Sequence, residues 1–461
     1  MKTENLSPVD AAWLHMEDPT NLMMVTVVLM LDEVIDFDDL KTAIKHRLLK
    51  FDRFRQRIVD TKQPFSQPKW EPDPHFTLSA HLHRVALPAP GDQAMLEEMV
   101  SDLMSAPLDA TKPLWQFHLI ENYHNGCALL MRFHHCIADG IALVQVVLSM
   151  TDETAEGSLT NDTAKDKRRQ GPVSELLDQA TAMVNSTIRT TETLLFEGIE
   201  TIIHPSRVVD LAKQGAMGAV ATGKLAFMGP DPQTAFKGKL GVAKRAAWST
   251  PIPLAHAKAI AQSFDGTIND VLMTAVTGAL RRYLDGRNET IQDLDIRAVI
   301  PVNLRSPKAP LELGNKFGLV FLELPVGIED VSERLVELKK RMDAIKNSPE
   351  ALVVFGLLNT VGAAPTEIER VVVDLFATKA TTVLSNVPGP RHTIYMAGKP
   401  VRGSMFWVPQ SGRLGLGVSI LSYDNTITLG VAADVGLIPD PKNIIDAFYA
   451  EFEQLTALAQ A

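Results

Sequence analysis

The chain has 461 residues, 46% of them hydrophobic and 22% charged, with a formal net charge of −10. That length exceeds what one hydrophobic core usually serves, so two domains of roughly 200 residues are expected. The acidic balance leaves no general footprint for nucleic acid, and two cysteines, Cys127 and Cys136, cannot build a disulfide framework.

The start of the chain lacks the basic-then-apolar pattern of a secretory signal, and no apolar run approaches the ~18 residues that span a bilayer. A reducing cytoplasm is the expected compartment. The apolar, small-residue-rich stretch 217–228 leaves contact with a membrane surface open.

In chain order, a short helix is expected from Asp10 through His15 and on to its end before Pro19, and a strand over 23–31, where Val, Leu and Met run on without helical spacing. Asp36 opens an amphipathic helix over 36–49 carrying Leu40, Ile44, Leu48 and Leu49 on one face. Residues 76–83 alternate at period two, and 93–103 return to helical spacing. Strands over 115–122 and 127–134 are joined through Tyr123, His124, Asn125 and Gly126, and an apolar helix follows over 141–150.

Residues 151–169 are polar, charged and poor in large apolar side chains, as a linker is. Helical periodicity resumes over 173–203, and a Pro/Gly-containing stretch, 228–239, precedes a strand over 245–249. Residues 151–244 thus read as a crossover between an N-terminal domain, 1–150, and a C-terminal one, 245–461. The latter is expected to hold helices over 254–264, 269–284, 331–346 and 350–376. Its strands are expected over 296–302, 381–385, 414–423 and 426–433, the last two turning at Asp424-Asn425. No repeat of 20–50 residues is visible, so the expected architecture is mixed α/β in two domains.

The most polar cluster in this pattern, HHCIADG over 134–140, sits where a buried strand meets a helix. Successive strand side chains face opposite ways, so one of His134 and His135 faces a site while the other is packed or held. An imidazole with an ordinary pKa of ~6.5 suits removal of a proton from a hydroxyl. The structural alternatives are a satisfied histidine pair, Asp139 as a helix N-cap and Gly140 as relief at the turn. A zinc site drawing on His81 and His83 lacks any HxxxH or CxxC spacing, and a Cys136–His135 nucleophile pair is disfavoured because strand neighbours diverge.

HHCIADG resembles, at all four fixed positions, the HHxxxDG motif of acyl-CoA-dependent acyltransferases related to chloramphenicol acetyltransferase and to nonribosomal peptide condensation domains. Within that superfamily the chain is most similar to the bacterial wax ester synthase/acyl-CoA:diacylglycerol acyltransferases. The pieces that carry the likeness are Pro113-Leu114-Trp115, Asn269-Asp270 in GTINDVLMTAVTGALRRYL, PVNLR at 301–305, SNVPGP at 385–390 and the N-terminal LSPVDAAWLHMEDPTNLM. The superfamily's late DFGWG motif is not found.

The resemblance implies two chloramphenicol acetyltransferase-like domains of mixed α/β sheets, joined by a crossover, with the active site at their interface. It implies an O-acyltransferase that moves a fatty acyl group from acyl-CoA to a long-chain alcohol or diacylglycerol, with no acyl-enzyme, cofactor or metal. A cytoplasmic protein resting on the inner membrane face or on lipid inclusions is the matching location. Two other readings stay open: a condensation-type catalyst using carrier-tethered donors, and an inert lipid-binding or storage-body protein.

Residue by residue, the resemblance makes His135 the general base and His134 its packed neighbour. Asp139 orients the loop, with Arg305 as candidate partner or else a solvated arginine, and Gly140 gives the turn room. Asn269 is either a donor to the oxyanion or a helix cap, and Asp270 belongs to the helix start. Ser385 and Asn386 shape a turn beside the acyl channel, and Trp115 is either a substrate contact or a core anchor. Lys237, Lys239, Lys244 and Arg245 form a basic cluster that either receives the CoA phosphates or is a solvated face. Acceptor preference and chain length depend on pocket walls, where a methylene is worth only about 1 to 3 kcal/mol.

Overall fold

A computed structural model describes residues 3–60, 67–157, 225, 227–305, 312–346, 348–362, 364, 366–410 and 412–460. The helical periodicity over 173–203 and most of the 151–244 crossover and of the 217–228 stretch lie outside the described residues.

The first half forms β1 (Glu4–Asn5), α1 (Pro8–His15), β2 (Met24–Leu31), α2 (Phe37–Ala43), β3 (Gln56–Val59), β4 (Lys69–Pro72) and β5 (Leu82–Ala86). It continues with α3 (Gln93–Met104), β6 (Trp115–Tyr123), β7 (Gly126–His134), α4 (Gly140–Ser149) and β8 (Thr151–Asp152). After the crossover come β9 (Lys244–Trp248), β10 (Ile252–Pro253), α5 (Leu254–Ser263), α6 (Ile268–Gly286), β11 (Ile296–Asn303), β12 (Phe317–Leu324) and α7 (Val331–Lys346). The chain then forms α8 (Glu350–Val361), α9 (Thr366–Thr378), β13 (Thr382–Pro388), β14 (Tyr395–Met396), β15 (Lys399–Trp407), β16 (Leu416–Tyr423), β17 (Thr426–Asp434) and α10 (Lys442–Gln460).

These strands build two seven-stranded mixed sheets and a small three-stranded one, β1-β4-β3. In the first large sheet the order is β5-β6-β7-β2-β15-β14-β8. All nine residues of β7 are buried, which is why it reads as an unbroken apolar run rather than an alternating one. It pairs antiparallel with β6 and with β2, and the β2 register sets Met24 opposite His134. The end of β7 therefore lies beside the start of β2.

Two strands of the second half, β14 and β15, complete the first half's sheet, with Trp407 opposite Thr26. The remaining strands form the second sheet in the order β10-β17-β16-β13-β11-β12, with β9 also on β17. Strand β13 lies parallel to both β11 and β16, and its chain then leaves through Gly389 and Pro390 towards β14. The helices α5, α6, α7 and α10 contribute to the core of this second sheet.

Three local expectations change. The period-two stretch 76–83 is a 3₁₀ turn at Leu78–Ala80 leading into β5, so the strand starts later. The helix expected over 350–376 is two, α8 and α9. Where they part, a Cβ on Gly362 would lie 1.9 Å from the carbonyl oxygen of Pro8, so α1 approaches too closely for any other residue there. Helix α2 begins as expected, with Asp36 accepting from Asp38 N and Asp39 N, but passes into a π turn over Ile44–Leu48. Among the described residues no helix is long and apolar enough to cross a membrane.

Candidate active site

The alternation expected of the two histidines is what the structure shows. His134 is held: its Nδ1 accepts from Cys136 N at 3.1 Å, and its Nε2 lies 2.9 Å from Glu17 Oε2. Burial acts to raise the Glu17 carboxyl, but hydrogen bonding and charge from His134, with the Met23 N–H, hold it below its ordinary value. His135, on the opposite side, continues the ladder by donating its N–H to Met23 O at 2.7 Å and turns its ring to an apolar cavity of about 190 Å³.

That cavity lies between the two large sheets. Val25, Val27 and Leu29 of β2, Phe406 of β15 and Val144 of α4 line it from one side, and Val299 of β11, Phe317 of β12 and Val383 of β13 from the other. The His135 ring stacks on Trp13 with 4.2 Å between centroids and is tilted against Phe317 at 5.5 Å. Enclosure pushes the imidazole down to about 4, with the Asp139 charge and acceptors for the ring N–H, the Asn315 side chain and the ring's own main-chain carbonyl, acting the other way. The ring is therefore neutral near pH 7 and able to take a proton.

Asp139 does both jobs expected of it. Its Oδ1 caps α4 by accepting from Ala142 N at 2.9 Å, while Oδ2 receives Arg305 Nε at 3.0 Å, Arg305 Nη2 at 2.8 Å and Lys316 N at 2.9 Å. Arg305 is thus the carboxylate's ion-pair partner, its side chain 11% exposed, rather than a solvated arginine, and it also reaches the Gly314 carbonyl. Gly314, at φ +108°, accepts from Asp139 N and donates to Ile137 O, pinning the 312–316 segment to the histidine loop.

Gly140 is a correction. A Cβ there would meet nothing within 4 Å, so the turn does not demand glycine; the residue lines the cavity, and its missing side chain leaves cavity space instead. At the start of α6, Thr267 and Asp270 form a reciprocal capping box, at 3.2 and 2.7 Å, so Asp270 is structural and Asn269 is not the cap. Asn269 Oδ1 accepts from Asn386 Nδ2 at 2.9 Å. Every residue from Ser385 to Pro390 lines the cavity, so Asn269 meets the cavity wall through Asn386.

Other expected contacts are not brought to the site. Trp115 is buried in the first core, its Nε1 donating to Phe54 O and its ring stacked on His81, which makes it the core anchor rather than a substrate contact. The basic cluster is dispersed. Lys237 Nζ donates to the carbonyls of Thr378 and Ala380, Lys244 Nζ to Asp434 Oδ2 at 2.6 Å, and Arg245 to Pro439 O. Lys239 is exposed, and none of the four lines the cavity. Burial pushes the Cys136 thiol well above its ordinary value, so it is no nucleophile at neutral pH. Among the described residues no group of three or more His, Cys, Asp or Glu is placed to hold a metal ion.

Sequence reasoning missed how the N-terminal segment packs on this site. Trp13 stacks on His135, Met23 and Glu17 hold the two histidines, and Asp10 receives Asn315. One signal was available: Ser7-Pro8 followed by Asp10 is a helix start, with Ser7 accepting from Asp10 N and proline in the first turn.

Two mixed sheets, the first completed by a strand pair from the second half, with an HHxxxDG loop facing the seam between them, define the two-lobed acyltransferase class. A solved wax ester synthase/diacylglycerol acyltransferase from Marinobacter aquaeolei VT8 superposes with a TM-score of 0.69 at 21% identity, covering 99% of this chain and 100% of that one. The trichothecene 15-O-acetyltransferase of Fusarium sporotrichioides gives 0.63 at 13%, covering 98% and 95%. In sequence, a Mycobacterium tuberculosis protein named "Probable diacyglycerol O-acyltransferase tgs1" is 27% identical over 465 residues, 99% of this chain and 96% of the relative. The family model described as the wax ester synthase/diacylglycerol acyltransferase catalytic domain matches residues 6–272, and the WS/DGAT C-terminal domain matches 313–456. The chain belongs to the wax ester synthase/diacylglycerol acyltransferase family.

Proposed function

We propose that the chain transfers a fatty acyl group from acyl-CoA to the hydroxyl of a long-chain alcohol or a diacylglycerol, with His135 as general base. The observation that carries this reading is an enclosed imidazole facing an apolar cavity between two lobes, where burial favours its neutral form. Both substrates bring long apolar chains, which such a cavity desolvates, while His135 on its wall meets the reacting hydroxyl.

The step balances without a covalent enzyme intermediate. His135 takes the hydroxyl proton as the oxygen attacks the thioester carbonyl, and the tetrahedral oxyanion then collapses, forming the ester and breaking the C–S bond. The CoA thiolate, conjugate to a thiol of pKa ~8.5, recovers the proton from the imidazolium. Asp139, held by Arg305, fixes the loop, and its charge favours the imidazolium as it forms. Asn386, held by Asn269, brings an amide to the cavity wall, a donor available to a developing oxyanion. The thioester is already activated, so the reaction calls for no cofactor or metal. Both lipid substrates partition into membranes, so we place the protein at a membrane or lipid-inclusion surface on the cytoplasmic side.

The test is release of CoA thiol by purified protein given palmitoyl-CoA with hexadecanol, dioleoylglycerol, a short alcohol or no acceptor, with products identified. Acceptor-dependent release yielding wax ester or triacylglycerol supports the proposal. Folded protein that binds lipid and releases no thiol overturns it, in favour of a carrier-tethered donor or an inert lipid-binding protein.

A further inference from the structure

The reaction above leaves two buried polar residues without a task, Asp10 on α1 and Asn315 just before β12, at 1% and 8% exposure. Asn315 N and Nδ2 both donate to Asp10 Oδ1, at 2.9 and 2.8 Å, and the same Nδ2 donates to the main-chain carbonyl of His135 at 2.8 Å. Both partners of Nδ2 are acceptors only, so the surroundings settle which way the amide points: nitrogen to Asp10 and to the carbonyl, oxygen away from them. That oxygen, Asn315 Oδ1, and His135 Nδ1 are both buried without a well-formed hydrogen bond, and the acceptors that act on the His135 ring are the Asn315 side chain and the ring's own main-chain carbonyl.

The amide is itself held from behind. Arg53 Nη1 donates to Asp10 Oδ2 at 3.4 Å and to Ile137 O, within the histidine loop, at 2.9 Å. Burial pushes the Asp10 carboxyl up, while Arg53 and Asn315 act to lower it, so the acid is costly to bury and is kept among donors. Arg53, Asp10 and Asn315 thus form a chain of contacts that begins and ends on the loop carrying His135.

We propose that Asn315, anchored on Asp10, is the positioning residue that selects the tautomer of His135, its Oδ1 taking the Nδ1 proton so that Nε2 is left as the base. A neutral imidazole carries its single proton on one nitrogen, and a lone pair turned into the protein cannot serve a substrate. Here Nδ1 is enclosed, so the edge of the ring open to the cavity is the Nε2 edge. The two atoms, one able to donate and one able only to accept, belong to residues already joined by the Nδ2 bond to the His135 carbonyl, and the Asn315 side chain acts on the ring itself. The inference rests on His135 being the base.

The direct measurement is ¹⁵N NMR of protein labelled at histidine, in the resting state near neutral pH, with the His135 signals identified by their loss in His135→Ala. The wild type is expected to carry its proton on Nδ1. Asn315→Ala is expected to shift the proton towards Nε2 and to lower kcat about 10- to 100-fold, with KM for acyl-CoA changed less than about twofold. A wild-type proton on Nε2, or an Asn315→Ala tautomer like the wild type's, overturns the proposal. Should Asn315→Ala fail to fold, the wild-type spectrum decides alone, and Asp10→Asn is expected to move the tautomer the same way. The NMR result does not depend on turnover; retained transfer in His135→Ala overturns the base assignment instead.

Discussion

Replacing Asp139 by alanine removes three things at once, and the structure sets the size of each. The cap on α4, made to Ala142 N, is worth about 1 kcal/mol. Arg305, whose side chain is 11% exposed, is left without the carboxylate that both of its donors reach, a loss of about 3 to 5 kcal/mol for a broken buried pair. Lys316 N loses its acceptor as well. Asp139→Ala is therefore expected to lower stability by about 4 to 6 kcal/mol, a large part of the 5 to 15 kcal/mol of an ordinary domain. Arg305→Ala spares the cap and should cost less. A double-mutant cycle read by urea unfolding should show that the two substitutions together cost at least about 2 kcal/mol less than the sum of the singles. A coupling within about 0.5 kcal/mol of zero would refute the Asp139–Arg305 pair as the brace of the histidine loop.

Trp13→Ala removes the ring stacked on His135 and opens a void beside the cavity. It should cost about 3 kcal/mol in unfolding experiments and lower kcat. The lowered pKa of His135 gives a pH profile with a definite sign. The base is active when neutral, so kcat/KM should be flat downward from pH 7 and fall only as pH drops through about 4; a fall centred near the ordinary value of ~6.5 would contradict the enclosed site. Because Lys239 and Arg245 lie away from the cavity, the double substitution to alanine should leave KM for acyl-CoA within about twofold, and a rise of tenfold or so would restore them as phosphate ligands.

The parts of the site legible in the sequence are those set by local geometry. Strand alternation separates His134 from His135, and a carboxylate just before an apolar helix marks Asp139 as a cap; both hold in the structure. Arg305 was reachable through its place at the end of a strand, although nothing in the local pattern shows that it pairs with a residue 166 positions away. The rest depends on tertiary encounters. The lysines look like an anion site until Lys244 is seen on Asp434 and Lys237 on two carbonyls. The single helix over 350–376 parts where α1 crosses Gly362, and no helix propensity reports that. Strand β15 joins the other half's sheet on the edge of β2, with β14 between it and β8, and composition does not encode which edge a strand meets. Asp10 and Trp13 read as ordinary members of a short helix, and their task appears only when His135 and Asn315 arrive against them.

The central claim is that His135 moves the proton, and the most direct measurement compares wild type with His135→Ala for CoA thiol release from palmitoyl-CoA, with hexadecanol or dioleoylglycerol as acceptor. The variant is expected to lose at least about 100-fold in kcat while its circular dichroism and unfolding midpoint stay close to wild type. A folded His135→Ala protein that keeps more than about a tenth of the wild-type rate would contradict a general base at this position.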